Sequence, residues 1–279
     1  AIVLAANCGG ALTVIGDPTG LFLWNMGHVT PTAYSSAMAL PCLTAWLLPT
    51  WWIGRSLPET TETEWVTMPY RGDDTRLNIW QRLLMLFVGI GGLWFIPTFH
   101  RITKLSPFLG AFCVLAVLWV VNEIFNRRLI DTDEMIQRRV PRVLQYGVIQ
   151  MMLYIMGIML AVGVVQETGA VGWLVAQLDN YVGATWVAGT LAAALSTVLD
   201  SFTSALTFFT IGKSNGLNSD YWSMIAYSTA VGGNILCVGS LSGVAFLKTE
   251  NARVGWYISN VGWKAFVGAA LGLAVMIVM

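Results

Sequence analysis

The sequence predicts an all-α protein that crosses a membrane several times, and three observations carry that prediction. Hydrophobic residues make up 56% of the 279 residues and charged residues only 11%, whereas a soluble globular domain carries roughly 25% charged residues. Apolar runs of about 20 residues, the length a helix needs to cross a bilayer, recur along the chain. Arginine and lysine are unevenly distributed between the loops that join these runs. The net charge of zero gives no indication of a nucleic-acid partner.

Seven membrane crossings and one re-entrant hairpin account for the apolar runs. The first crossing covers 1–26 and is interrupted around Gly9 and again around Asp17. An apolar stretch at 184–211 is divided at Asp200 into two halves that are too short to cross, which predicts the hairpin. The other crossings are predicted at 34–53, 83–97, 107–122, 143–165, 222–250 and 257–279.

Positive charges predict how these crossings are oriented. Twelve of the fifteen Arg and Lys residues fall on one side of the predicted topology, and only Arg101, Lys104 and Lys213 fall on the other. Because cytoplasmic loops carry the excess of positive charge, we predict a multi-pass protein of the cell inner membrane with arginine-rich loops in the cytoplasm. The arginine-rich segment 126–142 is predicted to be a helix on the cytoplasmic membrane surface, and 166–182 a similar piece on the other face.

A glycine pattern occurs twice, once in the first crossing and once in the crossing at 222–250. The aligned glycines are Gly9 with Gly232, Gly10 with Gly233, Gly16 with Gly239, and Gly20 with Gly243. The predicted topology runs the two copies in opposite directions. Interrupted helices at matching positions of two inverted halves indicate the binding site of a secondary transporter. We expect each helix to break at its glycine pair, where backbone groups turn inward.

This pattern predicts an inverted-repeat transporter with broken helices and a re-entrant hairpin. Residues 1–53 are expected to be the end of the first repeat, a broken helix plus one span, and 54–82 a polar cytoplasmic linker. Residues 83–279 are expected to be the second repeat. Because Ala1 begins within a helix, most of the first repeat is expected upstream, as the missing N-terminal half of the same transporter.

Two carboxylates lie inside the apolar interior, Asp17 beside the first break and Asp200 at the hairpin tip. An aspartate at the centre of a membrane helix costs about 2.5–3.5 kcal/mol on insertion scales, so such residues are usually functional. The alternative is that each merely caps a helix start. Carboxylate, hydroxyl and amide oxygens together suit a hard cation, which predicts a sodium site. The candidate ion-binding residues are Asp200, Asp17, Asn7, Thr19, Ser201, Thr203, Asn234 and Ser240.

Three motifs resemble the NhaD-type sodium/proton antiporters, of the ion-transporter superfamily that also contains arsenite and dicarboxylate carriers. They are Ala5-Ala6-Asn7-x-Gly9-Gly10-x5-Gly16-Asp17-x-Thr19, the Leu199-Asp200 hairpin tip, and Gly232-Gly233-x5-Gly239-Ser240. The resemblance runs the length of the chain and implies two inverted repeats that move as an elevator against a scaffold. Ser201 stands where the family usually has asparagine, and Gly20 where it has threonine, so the ion preference and stoichiometry stay open.

The predicted mechanism is competition between sodium ions and protons for the carboxylates of Asp17 and Asp200, with alternating access of the site to the two sides. No GxxxxGK[ST] phosphate-binding loop occurs, which agrees with exchange that needs no ATP. We expect a transporter and not an enzyme, with no cofactor and with sodium as the transported substrate. Glu167 is either an interfacial carboxylate or part of a proton path. His28 and His100 are predicted to be solvated in exterior loops. The oligomeric state is left open, a homodimer included.

Three alternatives compete with this interpretation. A transporter of the same fold would carry a dicarboxylate with sodium, or arsenite, but two buried carboxylates count against an anion site. An intramembrane aspartyl protease also needs two membrane-embedded aspartates, yet its Gly-x-Gly-Asp and Pro-Ala-Leu motifs do not occur here. A non-transporting scaffold subunit is an alternative only because the first half of the transporter is expected to lie upstream of Ala1.

Overall fold

Every secondary-structure element in the described part of this computed structural model is helical. The described residues are 1–56, 79–126, 148–169, 185–212 and 215–279. The helices are α1 Ile2–Ala11, α2 Pro18–Asn25, α3 Pro31–Arg55, α4 Ile79–Thr103, α5 Pro107–Asn126, α6 Ile149–Glu167, α7 Thr185–Val198, α8 Ser201–Ile211, α9 Asp220–Leu236, α10 Leu241–Thr249, α11 Val254–Tyr257 and α12 Trp263–Val278. A π-helical turn, Ile258–Gly262, joins α11 to α12.

Five segments among the described residues are long and apolar enough to cross a membrane. They are Pro31–Arg55, Ile79–Thr103, Pro107–Phe125, Asp220–Thr249 and Val254–Val278. The prediction of an all-α polytopic membrane protein is therefore confirmed. Most of the predicted surface segments at 126–142 and 166–182, and most of the 54–82 linker, lie outside the described residues.

The chain forms two compact units. Ala1–Leu57 and Gly157–Met279 make the first unit, and Pro58–Met156 make the second. In the second unit α4 packs on α5. Large apolar side chains of these helices are exposed on the surface of the unit, Phe87 by 77% and Trp94 by 76%. In a bilayer such a surface faces lipid tails, which are as apolar as the side chains themselves.

The first unit is built around α9. Fourteen of the 17 residues of α9 are buried, Trp222 and Tyr227 almost completely. Helices α1, α3, α7, α8 and α12 all pack against it. Serine, threonine and asparagine side chains are buried along it as well, among them Ser228, Thr229 and Asn234. The core of this unit is therefore partly polar, unlike the apolar pair of helices in the second unit.

Both broken segments are interrupted, but not at the glycine pairs. Helix α1 continues through Gly9 and Gly10 to Ala11, and α9 continues through Gly232 and Gly233 to Leu236. The breaks lie at 12–17 and 237–240 instead. The expectation that each helix breaks at its glycine pair is therefore wrong.

The second glycine of each pair gives room for the returning chain. A Cβ placed on Gly10 would lie 3.0 Å from the Gly16 carbonyl oxygen, and one on Gly233 would lie 2.9 Å from the Gly239 carbonyl oxygen. Any side chain at these positions would crowd the backbone that folds back over the helix end. The glycines thus permit the break six residues later without being the break themselves.

Candidate functional site

The first break presents Asp17 at the start of a helix. Asp17 is the N-cap of α2, with Pro18 at the first helical position, where proline is favoured because its missing N–H would be unpaired anyway. Its Oδ2 accepts a hydrogen bond from the Thr19 backbone N–H at 3.1 Å. The Asp17 side chain is partly buried and the Thr19 side chain almost completely buried. The cap engages one carboxyl oxygen and leaves Oδ1 outside it.

The second break presents a serine in the same position. Ser240 is the N-cap of α10, and its hydroxyl accepts a hydrogen bond from the Gly243 N–H at 3.2 Å. Helix α9 ends at Cys237 in the left-handed conformation, with φ +64. Ser240 is 5% exposed. This cap is neutral and enclosed, where the cap of the first break carries a carboxyl group.

The N-cap residues of the two breaks have the same backbone geometry. The backbone dihedrals of Asp17 are φ −136 and ψ 142, and those of Ser240 are φ −137 and ψ 143. A Cβ on Gly20 would meet the backbone of Val14 at 3.1 Å. A Cβ on Gly243 would likewise meet the backbone of Cys237, the residue aligned with Val14. The sequence match between the breaks is thus also a structural match.

Contacts between the two broken segments follow opposite orders along the chain. Near the end of the first segment, the His28 ring stacks on Trp222 near the start of α9, with centroids 4.1 Å apart. In the middle, Asn7 bonds to Asn234. At the start of the first segment, Val3 packs in a buried cluster with Cys237, beyond the end of α9. The segments therefore run antiparallel.

Asn7 and Asn234 tie the two segments together. The Asn7 Nδ2 donates a hydrogen bond to Asn234 Oδ1 at 2.7 Å, and the Ser242 hydroxyl donates to Asn7 Oδ1 at 2.6 Å. Asn234 is fully buried, and its Nδ2 points at the Cys8 sulfur at 3.7 Å. The Tyr257 hydroxyl donates to the Asn234 carbonyl oxygen. Both amide oxygens accept hydrogen bonds, so these two side chains connect the breaks to each other.

The turn between α7 and α8 places Asp200 beside the second break. Asp200 is the N-cap of α8, and its Oδ2 accepts hydrogen bonds from the backbone N–H groups of Phe202 at 3.1 Å and Thr203 at 3.4 Å. The Ser201 N–H donates to the Gly239 carbonyl oxygen at 3.0 Å. Helix α7 is held to α9 by the buried Ser196 hydroxyl, which donates to the Thr229 carbonyl oxygen.

Aromatic packing joins the two helices that the aspartates cap. The Phe22 ring of α2 stacks on Phe209 of α8, with centroids 5.9 Å apart, and meets Phe202 edge-on at 6.2 Å. Helices α2 and α8 are in contact, so Asp17 and Asp200 cap two neighbouring helices. The described residues hold no group of three or more His, Cys, Asp or Glu side chains that would fit a metal ion. A cation here would therefore need hydroxyl or backbone oxygens beside the two carboxylates.

Two residues of this region were not found from the sequence. Tyr34 of α3 places its buried hydroxyl against the first turn of α2, a position that no motif indicates. His28, predicted to be solvated, is instead half-buried on Trp222, and its carbonyl oxygen accepts a hydrogen bond from the Asn218 N–H at 2.8 Å. Burial lowers the pKa of the His28 imidazole. Glu167 is exposed at the end of α6.

Comparison with known proteins gives a consistent set of matches. A family model described as citrate transporter matches residues 1–232. The chain is 28% identical to sodium/proton antiporter 1 of Arabidopsis thaliana, over 98% of this chain and 47% of that protein. It is 26% identical to sodium/proton antiporter 2 of the same species, over 98% of the chain and 64% of the relative. It is 25% identical to the Na(+)/H(+) antiporter NhaD of Vibrio cholerae, over 100% of the chain and 60% of the relative.

These matches confirm the resemblance to NhaD-type antiporters that the motifs indicated. The chain spans about half to two thirds of the length of the curated relatives just named. No solved structure shows a significant match to it.

Proposed function

Because the chain belongs to the citrate transporter family, whose members are transporters and not enzymes, we propose that it is part of a secondary transporter exchanging sodium ions for protons. The relatives named sodium/proton antiporters support this cargo. The transporter would lie in the inner membrane with its arginine-rich loops in the cytoplasm, as the charge distribution predicts.

The observation that carries the proposal is the pair of carboxylates at the starts of two helices in contact, α2 and α8. Within the described residues, the carboxyl groups of Asp17 and Asp200 accept hydrogen bonds from backbone N–H groups and not from Arg or Lys side chains. A carboxylate at membrane depth without a cationic side chain needs a proton or a bound cation as its partner. Sodium lacks the directional demands of a metal with fixed geometry and suits oxygen donors.

In the proposed mechanism each aspartate binds either a proton or part of a sodium site. The helix cap uses Oδ2, so Oδ1 of each side chain can accept the proton or contact the ion while the cap persists. Because sodium requires the ionised carboxylate, the two cargoes exclude each other. Thr19, Ser201 and Thr203 are proposed to supply further oxygens, and Ser240 is proposed to hold the second break as the cap of α10. Asn7 and Asn234, whose amide oxygens accept hydrogen bonds, are proposed to set the distance between the breaks.

We infer an inverted-repeat architecture around this site. The antiparallel order of contacts and the matching caps support it. The α7–α8 turn is proposed to be the tip of a re-entrant hairpin. Residues 1–53 and 83–279 would then be the end of one repeat and the whole of the other. Alternate exposure of the Asp17 and Asp200 carboxylates to the two sides of the membrane would complete the exchange.

One further cargo is favoured by a specific observation, the description of the matching family as citrate transporters. In that case sodium bound at Asp17 and Asp200 would be co-transported with a carboxylate anion. The two cargoes differ in what moves with sodium: protons in the opposite direction, or an organic anion in the same direction.

The test uses inside-out vesicles that contain the full-length protein. The vesicles are energised to acidify, sodium chloride or sodium citrate is added, and the pH gradient and citrate uptake are followed together. We expect sodium chloride alone to collapse the gradient, and Asp200→Asn to abolish this while the protein stays folded in the membrane. Asparagine is as good an N-cap as aspartate, so the helix start is preserved and only the exchangeable charge is lost.

Two results would contradict the proposal. Exchange at the normal rate and pH dependence in Asp200→Asn would remove the carboxylate from the mechanism. Sodium-dependent citrate uptake without any response to sodium chloride would assign the anion as cargo.

A further inference from the structure

Two buried hydroxyl groups beside Asp17 have no hydrogen-bond partner. Tyr34, in the first turn of α3, is 2% exposed, and Thr19, in the first turn of α2, is 1% exposed. Neither Tyr34 Oη nor Thr19 Oγ1 makes a hydrogen bond of acceptable geometry. Buried polar atoms of folded proteins nearly always have a partner, so a neighbouring pair without one calls for a ligand.

The Tyr34 hydroxyl reaches the start of α2 because residue 20 has no side chain. A Cβ placed on Gly20 would lie 3.2 Å from Tyr34 Oη. Gly20 is three residues from Asp17, which caps the same helical turn. The Thr19 backbone N–H donates to Asp17 Oδ2 at 3.1 Å, so residue 19 lies directly beside the carboxyl group. One carboxyl group and two unpartnered hydroxyls thus meet at one helix start.

Other buried tyrosines of the first unit are satisfied. The Tyr227 hydroxyl donates to the Ala269 carbonyl oxygen at 3.0 Å, and the Tyr257 hydroxyl donates to the Asn234 carbonyl oxygen at 3.0 Å. Tyr34 is as buried as these residues, yet its hydroxyl has no such carbonyl. Packing alone would be served as well by phenylalanine, so the unpartnered hydroxyl indicates a separate role.

We propose that Tyr34 is a specificity residue of the site at Asp17, where the Tyr34 and Thr19 hydroxyl oxygens are neutral ligands of a monovalent cation. This inference rests on the proposed sodium/proton exchange. A hard cation stripped of water needs several oxygen ligands, more than one carboxylate provides. Hydroxyl oxygens add ligands without adding charge, so the site is neutral once a single sodium ion has bound the ionised Asp17. Removing the Tyr34 hydroxyl therefore weakens sodium binding and leaves proton binding at Asp17 in place.

The first test measures sodium binding directly. The full-length protein, purified in detergent, is unfolded thermally in increasing sodium chloride, with choline chloride maintaining the ionic strength. We expect Tyr34→Phe to need about tenfold more sodium than the wild type for the same stabilisation, the effect of losing one polar contact to a charged group. Tyr227→Phe is the matched control: it loses a hydroxyl from another buried tyrosine and should keep the sodium dependence of the wild type.

The second test measures exchange in vesicles as a function of pH. With sodium binding weakened and proton binding retained, protons compete more effectively, so the acid limit of activity should move to higher pH in Tyr34→Phe. Thr19→Val, which keeps the shape of the side chain, should shift sodium dependence in the same direction. If Tyr34→Phe does not fold, the sodium dependence of Thr19→Val tests the hydroxyl ligands by itself.

The outcomes separate this inference from the proposed function. If the wild type binds and exchanges sodium while Tyr34→Phe and Thr19→Val need no more sodium than it does, the inference is wrong and the proposed function stands. If the wild type neither binds nor exchanges sodium, the proposed function is wrong and the inference falls with it.

Discussion

The two breaks lead into the same helix start and differ in chemistry. The N-cap residues Asp17 and Ser240 have backbone dihedrals that agree within a degree, although the preceding helices end differently, at Leu12 in the right-handed and at Cys237 in the left-handed conformation. Yet the first cap is Asp17, partly open and beside unpartnered hydroxyls, and the second is Ser240, enclosed and neutral. Each break therefore starts a new helix from the same N-cap backbone. The side chain of the N-cap residue alone decides whether that helix start can carry a charge.

Their surroundings differ as well. The second break is fixed from outside, because the Ser201 N–H of the α7–α8 turn donates to the Gly239 carbonyl oxygen. In the first break, a Cβ added to Gly16 would meet the carbonyl oxygen of Gly10, which belongs to the same segment. We therefore interpret the first break as the site of ion binding and the second as its anchor to the hairpin. Each of the following substitutions tests that difference between the two breaks.

The largest effect should come from giving the first break the cap of the second. In Asp17→Ser a hydroxyl still caps α2, since serine is among the best N-cap residues, but no group remains to exchange a proton for sodium. We expect exchange to fall to the level of vesicles without the protein. Ser240→Ala removes only a cap and should cost about 1 kcal/mol of stability with exchange retained. Exchange and thermal stability are measured for both variants. An equal loss of exchange in both would contradict the assignment of ion binding to the first break alone.

A smaller effect should follow from adding one methyl group at equivalent glycines. A Cβ at Gly239 would overlap the Ser196 carbonyl oxygen of α7, and one at Gly16 would overlap the Gly10 carbonyl oxygen. Overpacking of this kind typically costs about 1–3 kcal/mol. We expect Gly239→Ala to lower the apparent melting temperature more than Gly16→Ala, because it also separates the break from the hairpin.

Gly9→Ala is the matched control for both glycine variants. Nothing lies within 4 Å of a Cβ at this exposed helical position. Alanine favours a helix over glycine by up to about 1 kcal/mol, so the variant should be as stable as the wild type or more so. Equal destabilisation by Gly9→Ala and Gly239→Ala would show that the close approaches do not matter.

Much of this contrast could be predicted from the sequence. Apolar run length predicted the five long apolar segments that the structure describes, because a helix in a bilayer must satisfy its own backbone over its whole length. The glycine alignment found both broken segments, and the Asp17 and Asp200 positions were identified as either ligands or caps. The structure shows that each is a cap, which does not remove a second role, since the cap uses only one carboxyl oxygen.

Other features depend on contacts that no local pattern encodes. The breaks follow the glycine pairs instead of coinciding with them. The second glycine of each pair leaves room for the backbone of the residue six positions later, which packs against it. The bond between Asn7 and Asn234 joins residues 227 apart and depends on how two helices are aligned. Tyr34 lies on α3, whereas Asp17 caps α2. The sequence around an isolated tyrosine in an apolar run does not indicate which residues its hydroxyl group will contact.

The smallest effect concerns the ends of the two segments, of which only the first carries a titratable ring. Asn251 follows the second segment at the position aligned with His28. His28 follows the first segment, and its ring stacks on Trp222 while its carbonyl oxygen accepts the Asn218 N–H. Burial lowers the pKa of His28, so the folded protein binds this proton less readily than the unfolded chain does. Stability should therefore be unaffected above the ordinary histidine pKa of about 6.5 and should decline as the pH falls below it.

His28→Gln tests this dependence, since glutamine does not titrate in that range. The variant should lose a little stability at pH 8, where the neutral ring packs on Trp222, and should then decline less than the wild type between pH 6.5 and 5. Because the ring is only half-buried, the difference should be well under 1 kcal/mol. Melting temperatures of purified wild type and variant across pH 8 to 5 give the measurement. Parallel curves for the two proteins would mean that His28 binds a proton equally well in the folded and unfolded states, and the predicted difference between the two segment ends would be wrong.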